Sequence, residues 1–259
     1  MQLVLSLFSG IGLLDQAFRE AGFCVVSAGD LITGQDIRDF QSLPDRFDGV
    51  IGGSPYQDFS KLKRNPTNYS QQMLDEYIRV VEQSQPSWYL HENVAGVPTF
   101  GVEGYETQRF DINQAWYEDV TRLRYIQFGT KLGKLLDIPR GSTKNAMNGC
   151  ALASDNRSFQ ELCHLQGLPH GFDLPSFNVQ GKKRAVGNGV PLSVGRALAD
   201  AVKFATGTSQ NSFAAKSHFS SIDESLCLCG CGRTLVGRKK YYDASCRKRA
   251  QRKREKANL

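Results

Sequence analysis

Short apolar runs alternate with Gly-rich turns and amphipathic segments along most of this chain. Residues 3–8 form a short, mostly apolar run suited to a strand buried on both faces. The turn Ser9-Gly10-Ile11-Gly12 follows, and residues 13–21 carry apolar positions at helical spacing, with Gly22 placed to end the helix. Residues 23–27 predict a second strand, followed by Asp30. Further strands are expected at residues 48–51, 88–91 and 124–128, with a helix at residues 73–83. Strands alternating with helices predict an α/β fold built on a doubly wound, mostly parallel sheet. Ligands of such sheets sit at the carboxyl ends of the strands.

The pattern changes toward the C-terminus. A Gly-, Ser- and Asn-rich stretch at 139–156 precedes a short helix at 159–167, and residues 190–204 predict another helix. Residues 206–221 are polar with little periodicity and read as a linker. Three parts result: a main domain at 1–205, a linker at 206–226 and a Cys-rich tail at 227–259. The overall charge of +6 is unevenly spread: residues 227–259 hold eleven Lys/Arg against two acids, which leaves residues 1–226 at −3. Such a block suits a phosphate backbone, so DNA is the expected partner. No apolar run reaches the ~18 residues of a membrane span, and the start lacks a basic leader, so no membrane partner is expected. Seven cysteines, four of them within 227–246, suit a reducing cytoplasm and a metal knot better than disulfides.

Glycines after a first strand allow close backbone approach, and an acid after the second strand can hold ribose hydroxyls. Phe8-Ser9-Gly10-Ile11-Gly12 with Asp30 fits that geometry without the full dinucleotide spacing, pointing to a smaller nucleoside cofactor such as S-adenosylmethionine. A series of short motifs then follows in order: Gly34-Gln35-Asp36-Ile37, Gly53-Ser54-Pro55-Tyr56-Gln57, Glu92-Asn93-Val94, Arg122-Leu123-Arg124, Leu165-Gln166-Gly167 and Gly187-Asn188-Gly189-Val190-Pro191. With the first glycine turn, this series resembles the DNA cytosine-5 methyltransferase family across roughly residues 3–205. The resemblance implies a Rossmann-like sheet, S-adenosylmethionine as cofactor, DNA as substrate and a place in DNA modification of the restriction-modification kind, in a bacterium or phage-infected cell. It implies that Phe8, Gly10 and Gly12 wrap the cofactor, that Asp30 takes its ribose and that Asp36 with Ile37 contacts its adenine. Asn188 and Val190 would close the far side.

The family methylates carbon-5 of cytosine through a cysteine thiolate that adds to carbon-6, while a glutamate supports ring nitrogen-3. The matching nucleophile position here is Tyr56. A phenol of pKa about 10 is bulkier and far less nucleophilic than a thiolate. A Pro followed by an aromatic residue also resembles the loop of amino-group methyltransferases, whose ring stacks on a flipped base while positioning supplies most of the catalysis. Gly53 stands where that loop carries a polar side chain, so the polar contact would fall to Ser54 or Glu92. Three readings of Tyr56 stand: transfer to an exocyclic amino nitrogen of adenine or cytosine, the main expectation; a cytosine-5 enzyme with Tyr in place of Cys; and a non-catalytic DNA-binding homologue. Tyr56, Pro55, Ser54, Glu92, Arg122 and Arg124 are the candidate catalytic residues, and Gln57 is a candidate DNA contact.

In this family a recognition domain lies between the arginine and Leu-Gln-Gly motifs. Here only residues 129–156 remain, too few for an independent domain, so low sequence specificity is expected. In the tail, Cys227, Cys229, Cys231 and Cys246 offer four sulfurs, a donor set suited to tetrahedral structural zinc. Tyr241, Tyr242 and the neighbouring cations mix stacking rings with positive charge.

Overall fold

The apolar run at the N-terminus becomes β1 (Leu3–Leu7), with β2 (Cys24–Ala28) and β3 (Gly49–Gly52) on either side of it, both parallel. This computed structural model describes residues 1–59, 67–141 and 148–207, together with 225, 226, 234, 235, 245 and 248. The chain divides into Met1–Gly207 and Thr208–Leu259. In the first unit β4 (Trp88–Asn93) joins β3 in parallel, and two antiparallel strands, β7 (Leu123–Thr130) and β5 (Glu106–Asn113), complete the order β2-β1-β3-β4-β7-β5. The sheet is therefore mixed, with its parallel part at the N-terminal end of the chain. Two-residue strands β6 (Val120–Thr121) and β8 (Asn148–Gly149) pair separately.

Period-2 alternation distributes the strand residues between two cores. Val4, Ile51, Trp88 and Leu90 face α1 (Leu13–Glu20) and α5 (Leu192–Thr206), where Phe18, Leu198 and Val202 are fully buried. Leu5, Leu7, Val50 and Tyr89 face α2 (Tyr69–Ser84), meeting Met73, Tyr77 and Val80. A third cluster gathers α3 (Phe159–Leu165), α4 (Val179–Asn188), Leu13 and Leu192. Helices thus cover both faces, as the alternation predicts.

Three departures from the sequence reading have physical causes. β5 falls in a stretch, 98–113, that offers no apolar run: it is an edge strand whose residues are mostly half-buried, so polar side chains suffice. α4 was not expected, because its sequence VQGKKRAVGN carries two glycines and little amphipathic pattern. Asn178 starts it by accepting the Gly181 N–H at 2.8 Å. The helix expected at 190–204 begins at Leu192, after Pro191. Between β2 and β3 the chain makes only two single-turn 3₁₀ helices, Leu31–Thr33 and Ile37–Asp39, leaving β2 at the sheet edge.

In the second unit the described residues form β9 (Ser225–Leu226) and β10 (Thr234–Leu235), an antiparallel pair. Cys227, Cys229, Cys231 and Cys246, the candidate zinc ligands, lie outside the described residues. So do most of the basic tail, residues 142–147 of the recognition segment and residues 60–66. Among the described residues no helix is long and apolar enough to cross a membrane.

Gly49 tests the packing beneath the site. A Cβ there would run into the indole of Trp88, which Phe18, Phe23 and Phe128 already enclose. Gly49→Ala is expected to destabilise the fold by about 1–3 kcal/mol, read as a lower midpoint in urea or heat denaturation with an unchanged m-value.

Candidate functional site

The carboxyl ends of β1, β2, β3 and β4 open into one cleft of about 230 Å³. The turn after β1 is built on left-handed backbone: Phe8 has φ 53°, Gly10 φ 56° and Gly12 φ 76°. For a phenylalanine this conformation is uncommon and costs about 1–3 kcal/mol. Asp30 holds the turn in place, since its Oδ2 accepts the Gly10 N–H at 2.6 Å and its Oδ1 the Ile32 N–H at 2.7 Å. A Cβ on Gly10 would meet nothing within 4 Å. The cradle is thus open to a ligand while its acid is fixed by backbone donors. Asp15, which the motif reading passed over, is 1% exposed and ties the turn to both neighbouring strands by accepting the hydroxyls of Ser6 (2.5 Å) and Ser27 (2.6 Å).

Phe8, Gly10, Asp30, Asp36, Ile37, Asn188 and Val190 all line this cleft. Asp36 also caps the second 3₁₀ turn and pairs with Arg38, which holds its carboxyl down to about 2. Gly12 does not line it; its backbone starts α1 instead.

Ser54, Pro55, Tyr56, Gln57, Glu92 and Arg124 line the same cleft. Glu92 projects near the end of β4 and is 8% exposed. Its Oε1 lies 2.9 Å from Nε of Arg124 on β7. Burial pushes the Glu92 carboxyl up, against the pull of Arg124 and then Arg122. Gly53 is required opposite: a Cβ there would lie 3.0 Å from Glu92 Oε2 and 3.2 Å from its carbonyl oxygen. Tyr56 reaches across the cleft, its hydroxyl donating to Asn188 Oδ1 at 3.2 Å.

Ser54 is committed elsewhere. Its Oγ lies 3.0 Å from Nε2 of His91 and accepts from Asn93 Nδ2 at 3.2 Å, while Asn93 Nδ2 also donates to the Ser54 carbonyl at 3.0 Å. The serine expected to offer a polar contact to a substrate amino group is 4% exposed and already bonded. His91 is 1% exposed, packed on the rings of Tyr77 and Phe100, and its Nδ1 has no hydrogen-bond partner among the described residues. Burial and the nearby Arg109 lower its pKa to about 3.

Arg122 also departs from its expected place beside the base. It is 3% exposed, does not line the cleft, and donates to the carbonyls of Ala151 (2.5 Å), Gly187 (2.9 Å) and Gly189 (3.2 Å). It fastens the later part of the recognition segment, at Ala151, to the turn that carries Asn188. Asp15, His91 and the clamp role of Arg122 were missed because each depends on partners brought close only by the fold. The nearest warning was the chemistry of a charged or imidazole side chain within an apolar run. Among the described residues no group of three or more His, Cys, Asp or Glu could hold a metal.

With this geometry in place, comparison with known proteins is informative. Residues 30–103 match the family of C-5 cytosine-specific DNA methylases. The chain is 30% identical to the type II methyltransferase M.NgoPII of Neisseria gonorrhoeae over 177 residues, 54% of this chain and 52% of that protein. It is 28% identical to the type II methyltransferase M.XorII of Xanthomonas oryzae pv. oryzae over 217 residues, 66% of this chain and 51% of that protein. The chain thus spans about half the length of these curated relatives. Its fold is similar to that of the S. pombe Dnmt2 methyltransferase, with a TM-score of 0.58, 13% identity, and coverage of 78% of this chain and 99% of that one. These findings favour the cytosine-5 reading over the amino-group reading, which had been the main expectation.

The buried imidazole yields a pH test. His91 stays neutral in the fold but takes a proton near the ordinary imidazole value of 6.5 when unfolded, so the unfolded chain binds more protons between 6.5 and about 3. Its contribution is therefore present above 6.5 and lost as the pH falls. Glu92, with its carboxyl raised, works in the opposite sense. Denaturant melts from pH 6.5 to 5 should show an acid loss of up to about 2 kcal/mol from His91, and His91→Gln should flatten it. An equal slope in both proteins rules out His91 as its source.

Proposed function

We propose that residues 1–207 form an S-adenosylmethionine-dependent DNA methyltransferase of the cytosine-5 type whose nucleophile position carries Tyr56 in place of Cys. The observation that carries this reading is the sharing of one cleft: the left-handed turn at Phe8–Gly10 and the buried Glu92–Arg124 pair open into the same space. A methyl donor and a flipped base must meet, and a single cleft lined by a nucleoside cradle and a base-sized polar pair allows it.

The residues present fit the cofactor, because the open space at Gly10 and the unusual φ of Phe8 make a cradle that a larger side chain or a relaxed backbone would fill. Phe8, Gly10, Asp30, Asp36, Ile37, Asn188 and Val190 would hold it. When bound it supplies an electrophilic methyl group. The chain's own residues do the rest. Glu92, its carboxyl raised by burial, can hold a proton and donate it to a ring nitrogen of cytosine, or accept from the exocyclic amino group when ionised. Arg124 keeps that carboxyl oriented through Nε, while its Nη1 donates to the Leu123 carbonyl. Pro55 and Tyr56 form the wall opposite.

Tyr56 supplies a ring and a hydroxyl where the covalent route needs a thiolate, which at neutral pH is far the stronger nucleophile. The amino-group reading needed a polar contact from Ser54 or Glu92; Ser54 is bonded to His91 and Asn93, which leaves that contact to Glu92 alone. The site therefore reads as a cytosine-5 site whose activity is limited by one side chain. DNA is its substrate, sequence readout by residues 129–156 is slight, and the four tail cysteines hold one structural zinc.

The experiment compares the unmodified chain with Tyr56→Cys on duplex DNA containing 5-fluorocytosine. The substitution should produce a denaturation-resistant protein–DNA adduct and carbon-5-methylated cytosine by nucleoside mass spectrometry, with at least a hundredfold less of both from the unmodified chain. Methylated amino bases from the unmodified chain would restore the amino-group reading, and no product from either protein would leave a non-catalytic binder. For the tail, metal analysis of the full chain should give one zinc per molecule, lost in Cys229→Ser.

A further inference from the structure

We infer that Arg184, with Lys183 beside it, is a phosphate contact for the DNA strand that carries the target base. The inference rests on the reading above, and four observations carry it. First, α4 ends at Asn188, whose side chain accepts the Tyr56 hydroxyl at 3.2 Å. Second, Arg184 precedes Asn188 by four residues, which puts both on one face of the helix about 6 Å apart along its axis. Ala185 and Asn188, the neighbours of that face, line the cleft. Third, Arg184 is exposed and makes no ion pair among the described residues, and Lys183 reaches only the Asn156 carbonyl at 3.5 Å. Fourth, the segment is locally basic: residues 174–199 hold Lys182, Lys183, Arg184 and Arg196 and no acidic residue, although residues 1–226 as a whole carry a net charge of −3.

The neighbouring cations are already used. Lys182 pairs with Asp173 at 2.5 Å, Arg38 with Asp36, and Arg124 with Glu92. A base drawn out of a duplex stays tethered through its flanking phosphates, so a site that holds the base must accommodate those charges at its rim. One turn of α4 separates Arg184 from the residue that touches Tyr56, a spacing suited to a phosphate beside the flipped nucleotide. The contact is to the backbone, so it adds affinity without sequence preference, in keeping with the short recognition segment.

The test uses the full chain and a labelled duplex, with binding followed by fluorescence anisotropy over a range of NaCl concentrations. Arg184→Gln should weaken binding severalfold near 0.1 M salt and reduce the slope of log K against log salt by about 0.9, the value for one lost phosphate contact. Arg196→Gln, which removes a cation paired with Glu20 on α5, should leave the slope unchanged. Thermal midpoints serve as the folding control. A slope unaltered by Arg184→Gln, or altered equally by Arg196→Gln, overturns the inference. In the Tyr56→Cys background, Arg184→Gln should raise the DNA concentration needed for half-maximal adduct formation and leave the saturated rate intact. If Tyr56→Cys forms no adduct, the functional reading fails while the salt slopes still decide this contact.

Discussion

A carboxylate buried beside a glycine is the constraint around which this site is arranged. Glu92 lies almost out of water, and an isolated ionised carboxylate there would be costly. Arg124 offsets that cost, and it can do so because β7 runs antiparallel to β4. Register opposes Asn93 to Tyr125 and Glu92 to Ile126, which brings the preceding Arg124 alongside the carboxylate. The antiparallel register of β7 against β4 is what delivers the cation, after a connection over residues 94–122 that itself carries β5 and β6. Gly53, just past the end of β3, completes the arrangement, since a side chain there would press on the same carboxylate.

Alternation along β4 then assigns the remaining roles. His91 and Asn93 lie on the strand face opposite Glu92 and grip Ser54 from two sides. The turn that carries Pro55 and Tyr56 is thereby anchored by a neutral, desolvated polar cluster, while the charged pair beside it meets the cleft. Separating a neutral anchor from a charged site is physically economical. The anchor needs no solvent, and its hydrogen bonds gain strength from low polarity. The charged pair needs only one open side. Tyr56 accordingly sits on a turn whose position is fixed by the bonds of Ser54 to His91 and Asn93.

Much of this was legible in the sequence where the signal is local. The buried parallel strands appear as apolar runs, and the left-handed turn appears as closely spaced glycines. Its unusual member, Phe8, takes a conformation that no local rule assigns to phenylalanine. The polar edge strand β5 and the glycine-containing α4 were illegible because half-buried edges and short capped helices need no apolar pattern. Most of the side chains expected at the site line one cleft, Gly12 and Arg122 excepted, but their partners were not legible in the sequence. Arg122 and Arg124 are two residues apart on paper, yet one clamps backbone carbonyls in the interior and the other meets the cleft. Ser54 and His91 are 37 residues apart, and nothing in their spacing announces a bond.

That clamp links the two ends of the cleft. Arg122 holds the carbonyls of Gly187 and Gly189, on either side of Asn188, and Gln166 adds bonds to the carbonyls of Val186 and Gly189. The turn that lines the cofactor side is thus fixed by a buried cation from the strand region that also supplies Arg124. Asn188, at its centre, meets the Tyr56 hydroxyl from the base side. A displacement of Tyr56 by an incoming base would be felt first by a residue whose backbone neighbours cannot readily yield. The two ends of the cleft therefore meet at Asn188, through a hydrogen bond between side chains 132 residues apart.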